Sequence, residues 1–143
     1  MKILFACTGN TCRSPMAELV FRARCKDESI TCASCGFSAF PGDTITPEAA
    51  AALAEIGIDS GAFRSSTLTM RAVEDADEIY VMTAQHREIL EAVLDSGSMK
   101  KVHLLGGGVS DPYGQGIGAY RACLSQISAA VNGILQELGA DGR

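Results

Sequence analysis

Apolar residues open the chain in a run without a polar side chain from Ile3 to Cys7, and Thr8, Gly9 and Asn10 end it. This pattern predicts a strand over Lys2 to Ala6, buried on both faces of a parallel sheet. After the turn, Ser14-Pro15 marks a helix start, since proline in a first turn forfeits no hydrogen bond, and Met16, Leu19, Val20 and Ala23 follow at helical spacing. A second strand is predicted at Ile30 to Ser34, stopped by Gly36, with Phe37 to Asp43 as loop. Thr46-Pro47-Glu48 reads as the cap and first turn of an Ala-rich helix reaching Ile56, which Gly57 closes. Thr69 to Ala76 reads as a short helix, Glu78 to Met82 as a third strand, and Thr83 as the cap of a helix to about Leu94. Lys101 to Leu105 is a fourth strand, Gly106 to Gly118 a Gly-rich loop, and Ala119 to Leu138 a long closing helix.

Strands that alternate with helices cannot pair through tight hairpins. They predict an α/β fold: a single-domain three-layer sandwich over residues 1–143, with a four-stranded parallel sheet flanked by helices. Right-handed crossovers then gather the loops that follow the strands at one edge of the sheet, where ligands bind. The chain carries no internal repeat, linker or low-complexity segment.

Composition narrows the partners. At 143 residues and 47% hydrophobic the chain can bury one ordinary core, and a net charge of −5 argues against nucleic acid or an anionic membrane as partner. The opening apolar run is too short for a secretion signal or a membrane span, so a cytoplasmic protein is expected. Six cysteines lack the density and regular spacing of a secreted disulfide scaffold, and they are read as reduced.

Among those six, only Cys7 has an arginine six positions later, and only Cys7 lies between a predicted strand and a proline-started helix. In Cys7-Thr8-Gly9-Asn10-Thr11-Cys12-Arg13-Ser14, Gly9 and Asn10 tolerate positive φ, so backbone N–H groups can turn inward as a nest at a helix N-terminus. Three phosphoryl oxygens fit such a ring, and the planar Arg13 fork binds two of them. Cys7 is then a thiolate nucleophile facing an anion cradle, with Ser14 as a donor to it. A nucleotide P-loop is excluded because no lysine followed by Ser or Thr stands at the helix start, and no GxGxxG follows the first strand. Cys12, Cys25 and Cys123 read as buried fillers, although Cys12 across a tight loop is also a candidate oxidation partner for Cys7. Cys32 and Cys35 stand three apart on a strand and point to opposite faces, which disfavours a disulfide or shared metal. His86 and His103 are two scattered histidines, and no metal site or cofactor is indicated.

Cys7 to Pro15, with Met16-Ala17-Glu18 after it, resembles the signature of the low-molecular-weight protein tyrosine phosphatases, and Asp111-Pro112-Tyr113 is similar to their general-acid loop. Ser34-Cys35-Gly36, where the family usually has Ser-Ala-Gly, and Thr46-Pro47, Gly57-Ile58 and Met82-Thr83 with His86 extend the resemblance over the whole chain. The resemblance implies two-step, metal-free hydrolysis through a phosphocysteine, with Cys7, Arg13 and Asp111 catalytic. It also implies that Thr8, Gly9, Asn10, Thr11, Cys12, Ser14 and Tyr113 bind phosphate or substrate. Asn10 would shape the loop and Ser14 stabilise the thiolate. The partners implied are phosphorylated proteins, with no cofactor; a monomeric chain is expected.

Thr11 stands where tyrosine phosphatases of the family mostly carry an aliphatic residue, and Gly114 follows Tyr113 where many have a second aromatic. Both departures resemble the bacterial protein arginine phosphatases, since a threonine hydroxyl can hydrogen-bond a guanidinium while isoleucine packs on an aromatic ring. Phosphoarginine is the expected substrate and phosphotyrosine the alternative. Arsenate reduction needs relay cysteines near the site, and none lies between Cys35 and Cys123. A non-catalytic phosphate-binding module would need neither Cys7 nor Asp111.

Overall fold

The computed structural model describes residues 1–142. β1 (Lys2–Cys7), β2 (Thr31–Gly36), β3 (Glu78–Val81) and β4 (Val102–Leu104) form one parallel sheet in the order β2-β1-β3-β4. β1 sits inside the sheet, and Ile3 to Cys7 are all buried, which accounts for the unbroken apolar run. Its side chains alternate. Ile3, Phe5 and Cys7 join the core beneath α1 (Arg13–Arg24), α2 (Pro47–Glu55) and α6 (Ile117–Glu137), while Leu4 and Ala6 join the core beneath α3 (Met70–Asp75), α4 (Ala84–Glu91) and α5 (Ser96–Met99). The result is the expected three-layer α/β sandwich. Among the described residues no helix is long and apolar enough to cross a membrane.

The differences from expectation lie mostly at element ends. β2 runs on to Gly36, because that residue pairs with Cys7 and bridges Thr67. The predicted helix to Leu94 stops at Glu91, and α5 follows behind an Asp95 cap that accepts from Ser98 N at 2.6 Å. β4 is shortened because Leu105–Gly107 coil into a 3-10 turn, with Gly106 at φ +55°. Thr46 does not cap α2 with its hydroxyl. Its amide instead donates to Thr11 O at 2.9 Å, so the start of α2 serves the loop after β1. Thr83 does cap α4, accepting from His86 N at 3.2 Å.

Candidate active site

β1 ends at Cys7, residues 8–12 turn, and α1 begins at Arg13. The carbonyls of this turn are tied to the scaffold: Cys7 O accepts from Phe37 N at 3.0 Å, Thr8 O from Ser38 N at 2.9 Å, and Asn10 O from Ser65 Oγ at 2.7 Å. Thr11 O accepts from Thr46 N at 2.9 Å and Cys12 O from Met16 N at 3.0 Å. In a trans peptide the C=O and the next N–H point in opposite directions. The amides of Thr8, Gly9, Thr11, Cys12 and Arg13 therefore face away from the scaffold, at a helix N-terminus whose dipole favours negative charge. The expectation about φ holds for only one of the two residues named: Asn10 is left-handed at φ +54°, and Gly9 is not. A β-carbon on Gly9 would sit 3.5 Å from Thr11 Oγ1, an ordinary contact.

Asn10 is the hub of the loop. Its Nδ2 donates to Ser14 Oγ at 2.8 Å and Ser34 Oγ at 2.9 Å, and its Oδ1 accepts from Ser66 N at 2.9 Å. Ser34 Oγ donates onward to Glu18 Oε1 at 2.6 Å. Since Ser14 Oγ already accepts from Asn10, its own proton is free for Cys7 Sγ at 2.9 Å, the nearer acceptor, with Cys35 O at 3.4 Å. These contacts hold the buried Cys7 and Ser14 in register.

Arg13 is 3% exposed. Its Nη1 donates to Val109 O at 2.9 Å and its Nη2 lies 3.8 Å from Asp111 Oδ2, while its buried Nε has no protein partner. An orphaned donor in a buried guanidinium is costly, and an anion oxygen in the loop would satisfy it. Asp111 arrives from the loop after β4, which is clamped at its start by Val109 N donating to Met82 O at 2.7 Å and by Gln126 Nε2 donating to Gly108 O. Asp111 Oδ1 accepts from Tyr113 N at 3.0 Å, its carbonyl accepts from Gln115 Nε2 at 2.8 Å, and its side chain is 53% exposed. Cys12 Sγ lies 4.0 Å from Asp111 Oδ1. Burial, then Cys7 and Asp111, push the Cys12 thiol up to about 12, which keeps it protonated.

The structure thus gathers Cys7, Asn10, Arg13, Ser14 and Asp111 at one edge of the sheet, and Tyr113 stands 71% exposed on the Asp111 loop. Thr11 Oγ1 bonds no protein atom among the described residues. All six cysteines are free thiols, and Cys32 and Cys35 belong to opposite faces of the sheet. Sequence reasoning missed Ser65, Ser66 and the role of His86, and recognised Ser34 and Gly36 only as part of a motif. His86 reaches Thr8 Oγ1 from Nε2 at 2.9 Å and is otherwise buried. His103 is elsewhere, paired with Glu78 and packed on Tyr80.

A family profile described as low molecular weight phosphotyrosine protein phosphatase matches residues 2–143. The chain is 35% identical to a protein-arginine-phosphatase of Bacillus subtilis strain 168, over 100% of both chains. It is 34% identical to a probable low molecular weight protein-tyrosine-phosphatase, EpsP, of Ralstonia solanacearum, over 98% of this chain and 97% of that one. The structure superposes with a TM-score of 0.90 and 34% identity on a mutant of the YwlE arginine phosphatase with a phosphorylated active-site serine, covering 99% of this chain and 97% of that one. With a phosphate-sized amide loop behind a strand-end cysteine and a sequence match along its length, the chain belongs to the low molecular weight phosphotyrosine protein phosphatase family.

Proposed function

We propose that this phosphatase hydrolyses phosphoarginine in proteins through a phosphocysteine on Cys7. The Cys7 thiolate attacks phosphorus in line while the loop amides and Arg13 hold the three equatorial oxygens, where transition-state charge collects. The S–P bond forms as the P–N bond breaks, and protonated Asp111 gives its proton to the departing guanidine nitrogen. Water then attacks phosphorus, the Asp111 carboxylate takes its proton, and the S–P bond breaks to return thiolate and inorganic phosphate. Ser14 stabilises the thiolate in both resting and product states through the proton that Asn10 leaves it. Thr8, Gly9 and Cys12 contribute amides to the cradle.

The arginine assignment is carried by Thr11. Its hydroxyl is uncommitted to the protein among the described residues, and its carbonyl is anchored separately by Thr46 N at 2.9 Å. The side chain is therefore available as an acceptor for guanidinium N–H rather than needed as a brace. The similarity to protein-arginine-phosphatases supports this reading. Gly114 at φ +76° supports it too, because a second aromatic after Tyr113 would be strained there. Phosphotyrosine is a second reading, favoured by Tyr113, which is 71% exposed on the Asp111 loop and offers a flat apolar face to a phenyl ring.

Two measurements test the proposal. Phosphoarginine and phosphotyrosine peptides of matched sequence should differ in kcat/KM in favour of phosphoarginine, and the reverse order would assign the chain to phosphotyrosine. Cys7→Ser should bind vanadate yet lose turnover, because its hydroxyl stays protonated. Substantial residual hydrolysis by that variant would exclude the phosphocysteine.

A further inference from the structure

His86 is 5% exposed, lies in the first turn of α4, and is reached by three parts of the chain. Met82 N, at the end of β3, donates to its Nδ1 at 3.4 Å. That bond assigns the proton of the neutral ring to Nε2, which then donates to Thr8 Oγ1 at 2.9 Å. The Phe37 ring stacks on the imidazole at 5.1 Å and 18°. Burial and the nearby Arg13 push the His86 pKa down to about 4, so the ring carries no charge to compete with Arg13 for an anion.

Phe37, with Ser38 after it, also grips the backbone of the loop. Phe37 N donates to Cys7 O at 3.0 Å, and Ser38 N to Thr8 O at 2.9 Å. Thr8 is itself exposed, and a threonine hydroxyl at the surface would ordinarily turn to water. Here a buried donor holds it, so its carbonyl and its side chain are both fixed. A histidine that only filled the core would need no bond to an exposed residue at the mouth of a site.

We propose that His86 is a positioning residue for the phosphatase reaction: through the Thr8 hydroxyl it locks the first residue of the phosphate loop, and with it the amides of Thr8 and Gly9 that hold the phosphoryl oxygens. This rests on reading residues 8–13 as the phosphate cradle. His86 donates and receives no proton in the chemistry, and acts through Thr8 alone. The loss of one neutral hydrogen bond that orders a binding loop corresponds to roughly a three- to ten-fold effect.

The experiment is a double-mutant cycle in the full chain, with inhibition by vanadate and kcat as separate readouts. Thr8→Val keeps the shape of the side chain and removes the acceptor, and should weaken vanadate binding and lower kcat by about three- to ten-fold. His86→Phe, which preserves the stack on Phe37, should cause at least the same loss, and His86→Gln, which retains an Nε2 donor, should recover most of it. In the Thr8→Val background, His86→Phe should add little further loss in vanadate binding. A Thr8→Val enzyme with unchanged kcat and vanadate affinity would overturn the proposal, as would fully additive losses in the cycle. If His86→Phe fails to fold, the Thr8→Val and His86→Gln pair decides the matter alone. Failure of the cradle reading is distinguishable, because Cys7→Ser would then keep turnover whatever Thr8 does.

Discussion

Thr11→Ile should reverse the substrate preference of the enzyme. Both residues are β-branched, so the side chain keeps its rotamer preference. The loop is held at this point by Thr46 N bonding Thr11 O and by the left-handed Asn10 beside it, neither of which involves the replaced hydroxyl. What changes is chemistry at the mouth of the site. Losing one hydrogen bond to a charged guanidinium costs about 1.5–3 kcal/mol. The added carbon against a phenyl ring gains about 0.8 kcal/mol. Together they shift the ratio of kcat/KM for phosphoarginine over phosphotyrosine by roughly 2.3–3.8 kcal/mol, or about fifty- to six-hundred-fold. The assay is kcat/KM on the two matched peptides for wild type and variant, with melting temperature as a folding control. Parallel losses on both peptides would refute the reasoning, since they would mean that Thr11 supports the loop and does not read the leaving group.

Asp111→Asn should slow phosphoarginine hydrolysis most, phosphotyrosine less and a nitrophenyl phosphate least, because the need for a proton falls along that series; equal losses would place Asp111 in loop shaping or in the second step. Gly36→Ala should lower activity and cost about 1–3 kcal/mol in urea unfolding, because its β-carbon would lie 2.7 Å from Thr8 O and 2.8 Å from Ala39 Cβ; wild-type stability and rate would show that the loop can yield. Folded His86 titrates near 4 against an ordinary 6.5, so between those values the unfolded chain binds more protons. The stability it contributes is complete above pH 6.5 and is lost as pH falls toward 4, by about 1.4 kcal/mol per pH unit and about 3 kcal/mol in all. The wild-type advantage over His86→Phe in urea unfolding should shrink accordingly between pH 7 and pH 4.5, and a constant difference would contradict the neutral, buried imidazole.

The contiguous part of the site was legible in the amino-acid sequence because its physics is local. A strand buried on both faces needs an unbroken apolar run, a proline-started helix supplies a dipole and free amides, and the nine residues from Cys7 to Pro15 place a thiol and a guanidinium at the two ends of one turn. Alternation of strand and helix was enough to name the sandwich and the edge that carries the chemistry. Asp111 was marked by its likeness to an acid loop and by its place in the Gly-rich loop after the fourth strand, but nothing in its spacing ties it to Arg13. Only the folding of the segment after β4 back over α1 brings its carboxylate within 3.8 Å of Arg13. Tertiary structure also decided which residues hold the loop. Ser34, Ser65, Ser66 and Thr46 are ordinary polar residues until long-range packing sets their donors or acceptors against Asn10 and Thr11. Gly36 is required because the Thr8 carbonyl passes too near for a β-carbon, a constraint between chain segments that composition does not record. His86 belongs to the same class: a hydrogen bond spanning 78 positions along the chain has no periodicity or spacing to announce it, and its partner is chosen only when α4 packs against the sheet.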